Sequence, residues 1–259
     1  MAEPIRFQNG AEYDAFMGNW SRLAGDRFLD WLSPERGAKW ADVGCGNGAF
    51  TELIARRFAP GSIDGIDPSY EQIEFARSSP AAKIARFQQG NSMALPFADD
   101  SMDIAVMALV LFFVPEPQKG ADEMVRVVRS KGLVAAYTWD ILEGGFPYDA
   151  VFAGLAAQGF EPTLPPSAAV SRLSATLEVW NKAGLEAVDS TVIEVSRHFD
   201  SFEEYWRLAQ FGPGLGNKLA EMRPDQSEAL MNDIKHRLSS DSGPFDVSAR
   251  AIAIKGIVP

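Results

Sequence analysis

Cysteine is almost absent from this chain. Cys45 is the only one in 259 residues, which excludes an intramolecular disulfide and is compatible with a reducing compartment. Histidine is nearly as scarce. His198 and His236 fall on different predicted elements, and no cluster of His, Cys and carboxylate residues has metal-ligand spacing, so no metal site is expected. Dense runs of lysine or arginine are missing too. With 24 Lys and Arg against 35 Asp and Glu, the net charge is -11. That balance argues against general nucleic-acid binding, which depends on neutralising phosphates, and leaves only a local basic patch as a route to RNA. Long apolar runs are also lacking. The longest, Ile104 to Val114, is too short to span a bilayer and reads as a buried strand running into a pocket wall, so no membrane partner is expected. The opening Met1-Ala2-Glu3-Pro4-Ile5-Arg6 has no apolar core of a signal peptide. A cytoplasmic enzyme is the expectation, and 46% hydrophobic and 23% charged residues are ordinary for one.

What is present is concentrated in Asp42-Val43-Gly44-Cys45-Gly46-Asn47-Gly48. An apolar approach ends in an acid, three glycines follow at alternate positions, and the amphipathic segment Thr51 to Phe58 begins at once. That order reads as strand, tight turn and helix start. Glycine lets the backbone turn and lets a ligand approach it closely, and the free N–H groups of the new helix face whatever is bound. Gly44-x-Gly46-x-x-Ala49 also satisfies the dinucleotide fingerprint. Asp67, at the end of the next predicted strand, is placed to accept hydrogen bonds from both hydroxyls of a ribose. These residues establish adenosine binding in general. Asp42 separates the classes: a pyrophosphate loop gains nothing from a negative charge there, whereas a ligand carrying an ammonium and a sulfonium does.

Here the chain resembles the class I S-adenosylmethionine-dependent methyltransferases, whose first motif runs acid-x-Gly-x-Gly-x-Gly. The resemblance continues in Gly65-Ile66-Asp67-Pro68-Ser69, similar to the family's ribose-binding strand end. It continues in Gln89 to Asp103, similar to the adenine-contacting loop and lead-in to the fourth strand of the small-molecule, methyltransferase type 11-like branch. Val125 to Leu133 is similar to the helix end and glycine turn before the fifth. Two positions depart from the family pattern: Asn91 stands where Asp is usual, and Ser130-Lys131-Gly132 holds one glycine instead of two. Tyr13 to Ser21 resembles the N-terminal segment of one bacterial subgroup, which makes Tyr13, Met17 and Trp20 candidate lid contacts.

The resemblance implies S-adenosylmethionine as cofactor and in-line methyl transfer to a small-molecule acceptor. It implies that Asp42, Gly44, Cys45 and Gly46 hold the methionine end. Asp67, Pro68 and Ser69 would meet the ribose and adenosine, and Asn91, Ser92 and Met93 the adenine. Ala108 and Leu109 would lie beside the methyl.

Strands predicted at 38–43, 62–67, 83–89, 103–109 and 132–138 alternate with helices, the pattern of an α/β, mostly parallel sheet covered on both faces. The family fold is Rossmann-like and doubly wound, with seven strands, the last antiparallel. Residues 143–169, rich in Gly, Pro and Ala, read as a break. A helix near 171–182, a strand near 186–197, helical segments at 202–208 and 225–238 flanking a Gly/Pro loop at 212–216, and a strand near 246–257 follow. One domain, 1–259, is expected: lid helices in 1–36, a cofactor-binding core in 37–140, and helical cap segments in 141–170 and 200–245. The cap aromatics Trp139, Phe146, Tyr148, Phe152, Tyr205, Trp206 and Phe211 are candidates for an acceptor pocket. His198 and Asp140 are the candidate catalytic groups, as general base and as orienting carboxylate. Two other functions stay open. One is an NAD(P)-dependent oxidoreductase using the same glycine turn; the other is a non-catalytic S-adenosylmethionine-binding module.

Overall fold

A computed structural model describes residues 14–161, 163–212, 215–239 and 243–259. The strands are β1 (Lys39–Val43), β2 (Ser62–Asp67), β3 (Ala85–Gln89), β4 (Met102–Ala108), β5 (Val128–Trp139), β6 (Glu186–Phe199) and β7 (Phe245–Ile257). They form one sheet in the order β3-β2-β1-β4-β5-β7-β6. The first five run parallel, and β7 inserts antiparallel between β5 and β6. The central strands are short apolar runs because both faces are covered: Trp40, Ala41 and Val43 of β1 and Ile104 to Met107 of β4 are all buried.

The helices are α1 (Asn19–Leu32), α2 (Ala49–Phe58), α3 (Tyr70–Ser78), α4 (Pro117–Val127), α5 (Asp149–Ala157), α6 (Leu173–Lys182), α7 (Phe202–Ala209), α8 (Leu215–Glu221) and α9 (Pro224–Arg237). Trp20, Ala24, Phe28 and Leu32 recur every fourth residue and line the buried face of α1. Successive residues of β7 show which face each helix takes, since their side chains point to opposite sides. Lys255 reaches the Trp31 ring of α1 at 4.2 Å, while a Cβ at Gly256 would lie 3.2 Å from Trp180 of α6. The sheet is therefore sandwiched between the α1 and α6 layers.

Three features differ from the sequence reading. The expected turn at Ser130-Lys131-Gly132 is an irregularity inside β5: pairing with β4 jumps from Met102–Val128 to Ile104–Leu133. Lys131 takes φ +63° and donates its N–H to Val258, so α4 runs directly into the strand. The predicted break at 143–169 contains α5, whose Asp-Ala-Val-Phe-Ala-Gly-Leu-Ala-Ala sequence is rich in alanine, the best helix former. The Gly and Pro of the surrounding stretch are what read as a break, and here α5 packs on α9. Gly154 allows that crossing to be close, since a Cβ there would lie 2.8 Å from Leu230. The expected loop at 212–216 is likewise shortened by α8.

Strands β6 and β7 outrun β5. Pairing with β5 ends at Trp139–Ala251, and Phe245 to Arg250 pair only with Glu194 to Phe199. This projecting ribbon carries Phe199 and Phe245, stacked at 5.6 Å, and Tyr205 of α7 rests edge-on against Phe199. The cap is thus built on an extension of the sheet. A single π-helical turn, Asp14–Gly18, enters α1 and is tied to the cap by Tyr148, whose hydroxyl donates to the Phe16 carbonyl at 3.0 Å.

Candidate active site

The glycine turn is anchored to β2 through the Ile66 carbonyl, which accepts from Gly44 N–H at 2.7 Å and Cys45 N–H at 2.9 Å. Gly44 has φ +78°, and a Cβ on it would lie 2.5 Å from Val110. Gly46 has φ +52°, and a Cβ on it would meet nothing within 4 Å. The first glycine is thus required by close packing, and the second leaves backbone open to a ligand. Gly48, at φ +84°, precedes the first turn of α2.

Two carboxylates flank this opening. Asp67, at the carboxyl end of β2, accepts from Gly46 N–H at 3.0 Å and from Ser69 N–H at 2.9 Å. Burial raises its pKa, against those two N–H groups, which lower it. Asp42 is fully buried near the end of β1. Thr51 donates to its Oδ2 at 2.5 Å, while Oδ1 is buried without a partner. Burial pushes the Asp42 pKa up to about 7; the Thr51 hydroxyl opposes that and the charge of Asp67 adds to it. Burial, reinforced by Asp42 and Asp67, also pushes the Cys45 thiol well above its ordinary value, so it is held protonated.

The remaining sequence-selected positions line up along the same sheet edge. Ser69 caps α3 by accepting from Gln72 N–H, and Gln89 donates to the Pro68 carbonyl at 2.9 Å. Asn91 accepts from Met93 N–H at 2.9 Å, closing the turn after β3; Asn91 is exposed, and Ser92 and Met93 are half-buried. Arg126 of α4 holds the following loop. It donates to the carbonyls of Leu95 and Phe97 and pairs with Glu123 and Asp99, while Glu123 accepts from Leu95 N–H at 2.6 Å.

At the end of β4, Ala108 is half-buried and Leu109 buried. Leu109 turns the chain with φ +61° and donates its N–H to Tyr137, and a short 3-10 turn, Leu111–Phe113, follows. This turn opens a largely apolar cavity of about 90 Å³. Leu109, Phe112, Phe113 and Trp139 from the sheet end line it, with Ile141, Phe146, Tyr148 and Phe152 from the first cap segment, Ala209 and Leu215 from the second, and Phe16 and Met17 from the N-terminal turn. Phe112, Phe113 and Phe16 were not singled out in the sequence. The run to Val114 pointed toward a pocket wall but gave no face to particular side chains.

Several selected residues lie elsewhere. Trp20 is fully buried and packs on Phe199 without lining the cavity, and Tyr13 is outside the described residues. Of the cap aromatics, Tyr205 is buried against Tyr148, Trp206 stacks on Phe202, and Phe211 is exposed. None of these three lines the cavity. Asp140 is buried, but its Oδ2 accepts from Arg250 at 2.7 and 2.9 Å, which fastens the start of the cap to β7. His198 is exposed at the end of β6 and pairs across the ribbon with Asp246 at 3.0 Å. Neither candidate catalytic group reaches the cavity, and His236 is exposed on α9. No group of His, Cys and carboxylate side chains able to hold a metal occurs among the described residues, and none of their helices is long and apolar enough to cross a membrane.

Sheet order, the antiparallel β7 and an acid-bearing glycine turn at the carboxyl ends of the strands define the class I methyltransferase fold. Dinucleotide-binding sheets, by contrast, run 3-2-1-4-5-6. Residues 41–136 match the family model of a methyltransferase domain. The chain is 34% identical over 142 residues to an uncharacterized methyltransferase of Mycobacterium leprae, covering 52% of this chain and 48% of that one. It is 35% identical over 105 residues to a demethylmenaquinone methyltransferase of Desulfitobacterium hafniense, covering 39% and 42%. The chain thus spans half or less of the length of these relatives. Among solved structures, the YcgJ protein of Bacillus subtilis superposes with a TM-score of 0.61 at 18% identity, covering 91% of this chain and 98% of that one. Phosphoethanolamine N-methyltransferase 2 of Haemonchus contortus, in complex with S-adenosyl-L-methionine, gives 0.59 at 15%, covering 96% and 56%. At those identities the likeness is one of fold.

Proposed function

We propose that this protein is an S-adenosylmethionine-dependent methyltransferase whose acceptor is a small molecule bound in the apolar cavity beyond β4. The observation that carries the reading is the orphaned Oδ1 of Asp42, buried at the end of the strand that leads into the glycine turn. A buried carboxylate oxygen without a partner is costly, and a cationic ligand removes that cost. The cofactor's ammonium fits such an oxygen, and Asp67 retains acceptor capacity for ribose hydroxyls beyond its two backbone bonds. When bound, the cofactor supplies a methyl already activated on a sulfonium.

The protein's own contribution is then positional. Leu109 and Trp139 form the sheet-end wall against which an acceptor rests, and Met17, Phe16 and Tyr148 close it from above. The aromatic lining excludes water, which strengthens electrostatic interactions within and keeps the two reactants aligned. Among the described residues no carboxylate or imidazole lines the cavity, so the reading assigns no side chain there as general base. Calorimetry with S-adenosylmethionine and S-adenosylhomocysteine, on the wild type and on Asp67→Ala, tests the proposal. Both ligands are expected to bind the wild type, with at least a hundredfold loss in the variant. Absence of binding by the wild type, or undiminished binding by Asp67→Ala, sinks it.

A further inference from the structure

The acceptor cavity carries one charge that no described carboxylate neutralises. Lys218, on α8, lines it together with the apolar and aromatic side chains. Its Nζ donates to the Glu161 backbone carbonyl at 2.6 Å, and it has no carboxylate partner among the described residues. An ammonium offers three donors, so a single carbonyl leaves two of them for a ligand or solvent. The other polar groups of the lining are few. The Tyr148 hydroxyl gives its proton to the Phe16 carbonyl, and Thr163 contributes one hydroxyl.

We propose that the acceptor is an apolar, ring-bearing molecule with one anionic group, a carboxylate in the simplest case, which Lys218 receives at the cap end. This rests on the methyltransferase reading given above. The aromatic walls on their own would suit a neutral ring or, through their π faces, a cation. Lys218 decides between these and an anion. A second cation in the same small apolar space would face an unscreened like charge, and no acid among the described residues lines the cavity to compensate it. A carboxylate, in turn, exchanges its water shell for a charge-assisted bond that the cavity already holds ready. Placement follows from which elements supply the walls. Leu109 and Trp139 terminate β4 and β5, while Lys218 belongs to the second cap segment. A ligand whose anion is held by the cap turns its opposite end toward the sheet edge, where Val110 packs on Gly44.

The test uses three isosteric probes, 3-phenylpropionate, 3-phenylpropylammonium and propylbenzene. Each is titrated by calorimetry into the full chain saturated with S-adenosylhomocysteine. The anion is expected to bind at least tenfold more tightly than the neutral probe, and the ammonium more weakly than either. Lys218→Met is expected to bring the anion down to the neutral probe's affinity and leave the neutral probe unchanged, while Lys218→Arg retains most of the preference. Tightest binding by the ammonium, or an equal loss for anion and neutral probe in Lys218→Met, overturns the assignment. Binding of S-adenosylhomocysteine is read separately in the same experiment. Its failure removes the methyltransferase reading itself, whereas its success without anion preference removes only the acceptor class.

Discussion

Replacing Asp42 by asparagine tests the electrostatics of the site without any substrate. In the cofactor-free protein the Asp42 carboxyl has a pKa of about 7, because it is buried with one oxygen unpartnered, against an ordinary value of 3.8. Below its ordinary pKa it is protonated in both folded and unfolded chains and contributes no pH dependence. As pH rises, the unfolded chain releases the proton first, and stability falls by about 1.4 kcal/mol per pH unit until the folded carboxyl also ionises near pH 7. The whole window, from 3.8 to about 7, amounts to roughly 4 kcal/mol lost at neutral pH. The amide of the variant keeps an acceptor for the Thr51 hydroxyl and has nothing to ionise. Urea unfolding of both proteins from pH 5 to pH 8 should show Asp42→Asn gaining on the wild type by about 3 kcal/mol across that range. Binding supplies the second arm. A cation beside Asp42 favours its ionised form, so wild-type affinity for S-adenosylhomocysteine should rise by up to about tenfold per pH unit below pH 7 and then level off. The variant, which lacks that group, should show no such component. Parallel stability profiles for the two proteins would falsify the account of a buried, partly orphaned carboxylate.

Gly44→Ala combines a positive φ with a contact to Val110 and should destabilise by about 3 kcal/mol in chemical denaturation. Val110→Ala in the same chain should return about 1 kcal/mol or more of that loss, and simple additivity of the two substitutions refutes the packing argument. Tyr148→Phe keeps the ring stack on Phe16 but removes its hydrogen bond, so about 1 kcal/mol of stability should be lost. Amide exchange should quicken around residues 14–20, and unchanged exchange there counts against the hydroxyl as a latch for the N-terminal turn. Arg126→Ala frees the carbonyls of Leu95 and Phe97 together with Glu123. The expected cost is about 2 kcal/mol, with faster exchange at 92–98 and little change in the β6–β7 ribbon.

The parts of the molecule that depend on backbone geometry were legible in the sequence. A strand end, a left-handed turn and a helix start require glycines and an acid at fixed spacing, so Asp42, Gly44, Gly46 and Asp67 could be picked out and placed on adjacent strand ends. All seven strands were found near their observed bounds, the central ones for a related reason, since a doubly covered strand has to be a short apolar run. Where side-chain contacts decide, the pattern gave less. The alanines of α5 favour helix on their own, but they stand in a stretch whose Gly and Pro read as a break, and their packing on α9 is not marked in the sequence. Asp140 and His198 were chosen by residue type at the end of a strand. The partners that occupy them, Arg250 and Asp246, lie 110 and 48 positions away, and no local signal announces such pairing. Phe112 and Phe113 stood inside a recognised apolar run, but a positive φ at Leu109, which the sequence does not mark, is what turns them toward the cavity.

Leu109 and Val110 also show why the two halves of the site are unequally readable although they touch. Val110 closes over Gly44 and belongs to the turn proposed to meet the cofactor; Leu109, one residue earlier, is a wall of the cavity proposed for the acceptor. A leucine at φ +61° costs about 1 to 2 kcal/mol relative to a glycine, and burying its side chain returns about the same or more. The strained turn is therefore held in place by what packs on it, the cap and the N-terminal turn, rather than by its own preferences. That dependence joins the halves mechanically. A ligand that fills the cavity would rest on Leu109, whose neighbour Val110 packs on Gly44, so the two halves adjoin through a single dipeptide. The cofactor half repeats wherever the same backbone contacts recur. The half proposed to hold the acceptor is assembled from side chains of four separated segments, most of which lie outside the motifs.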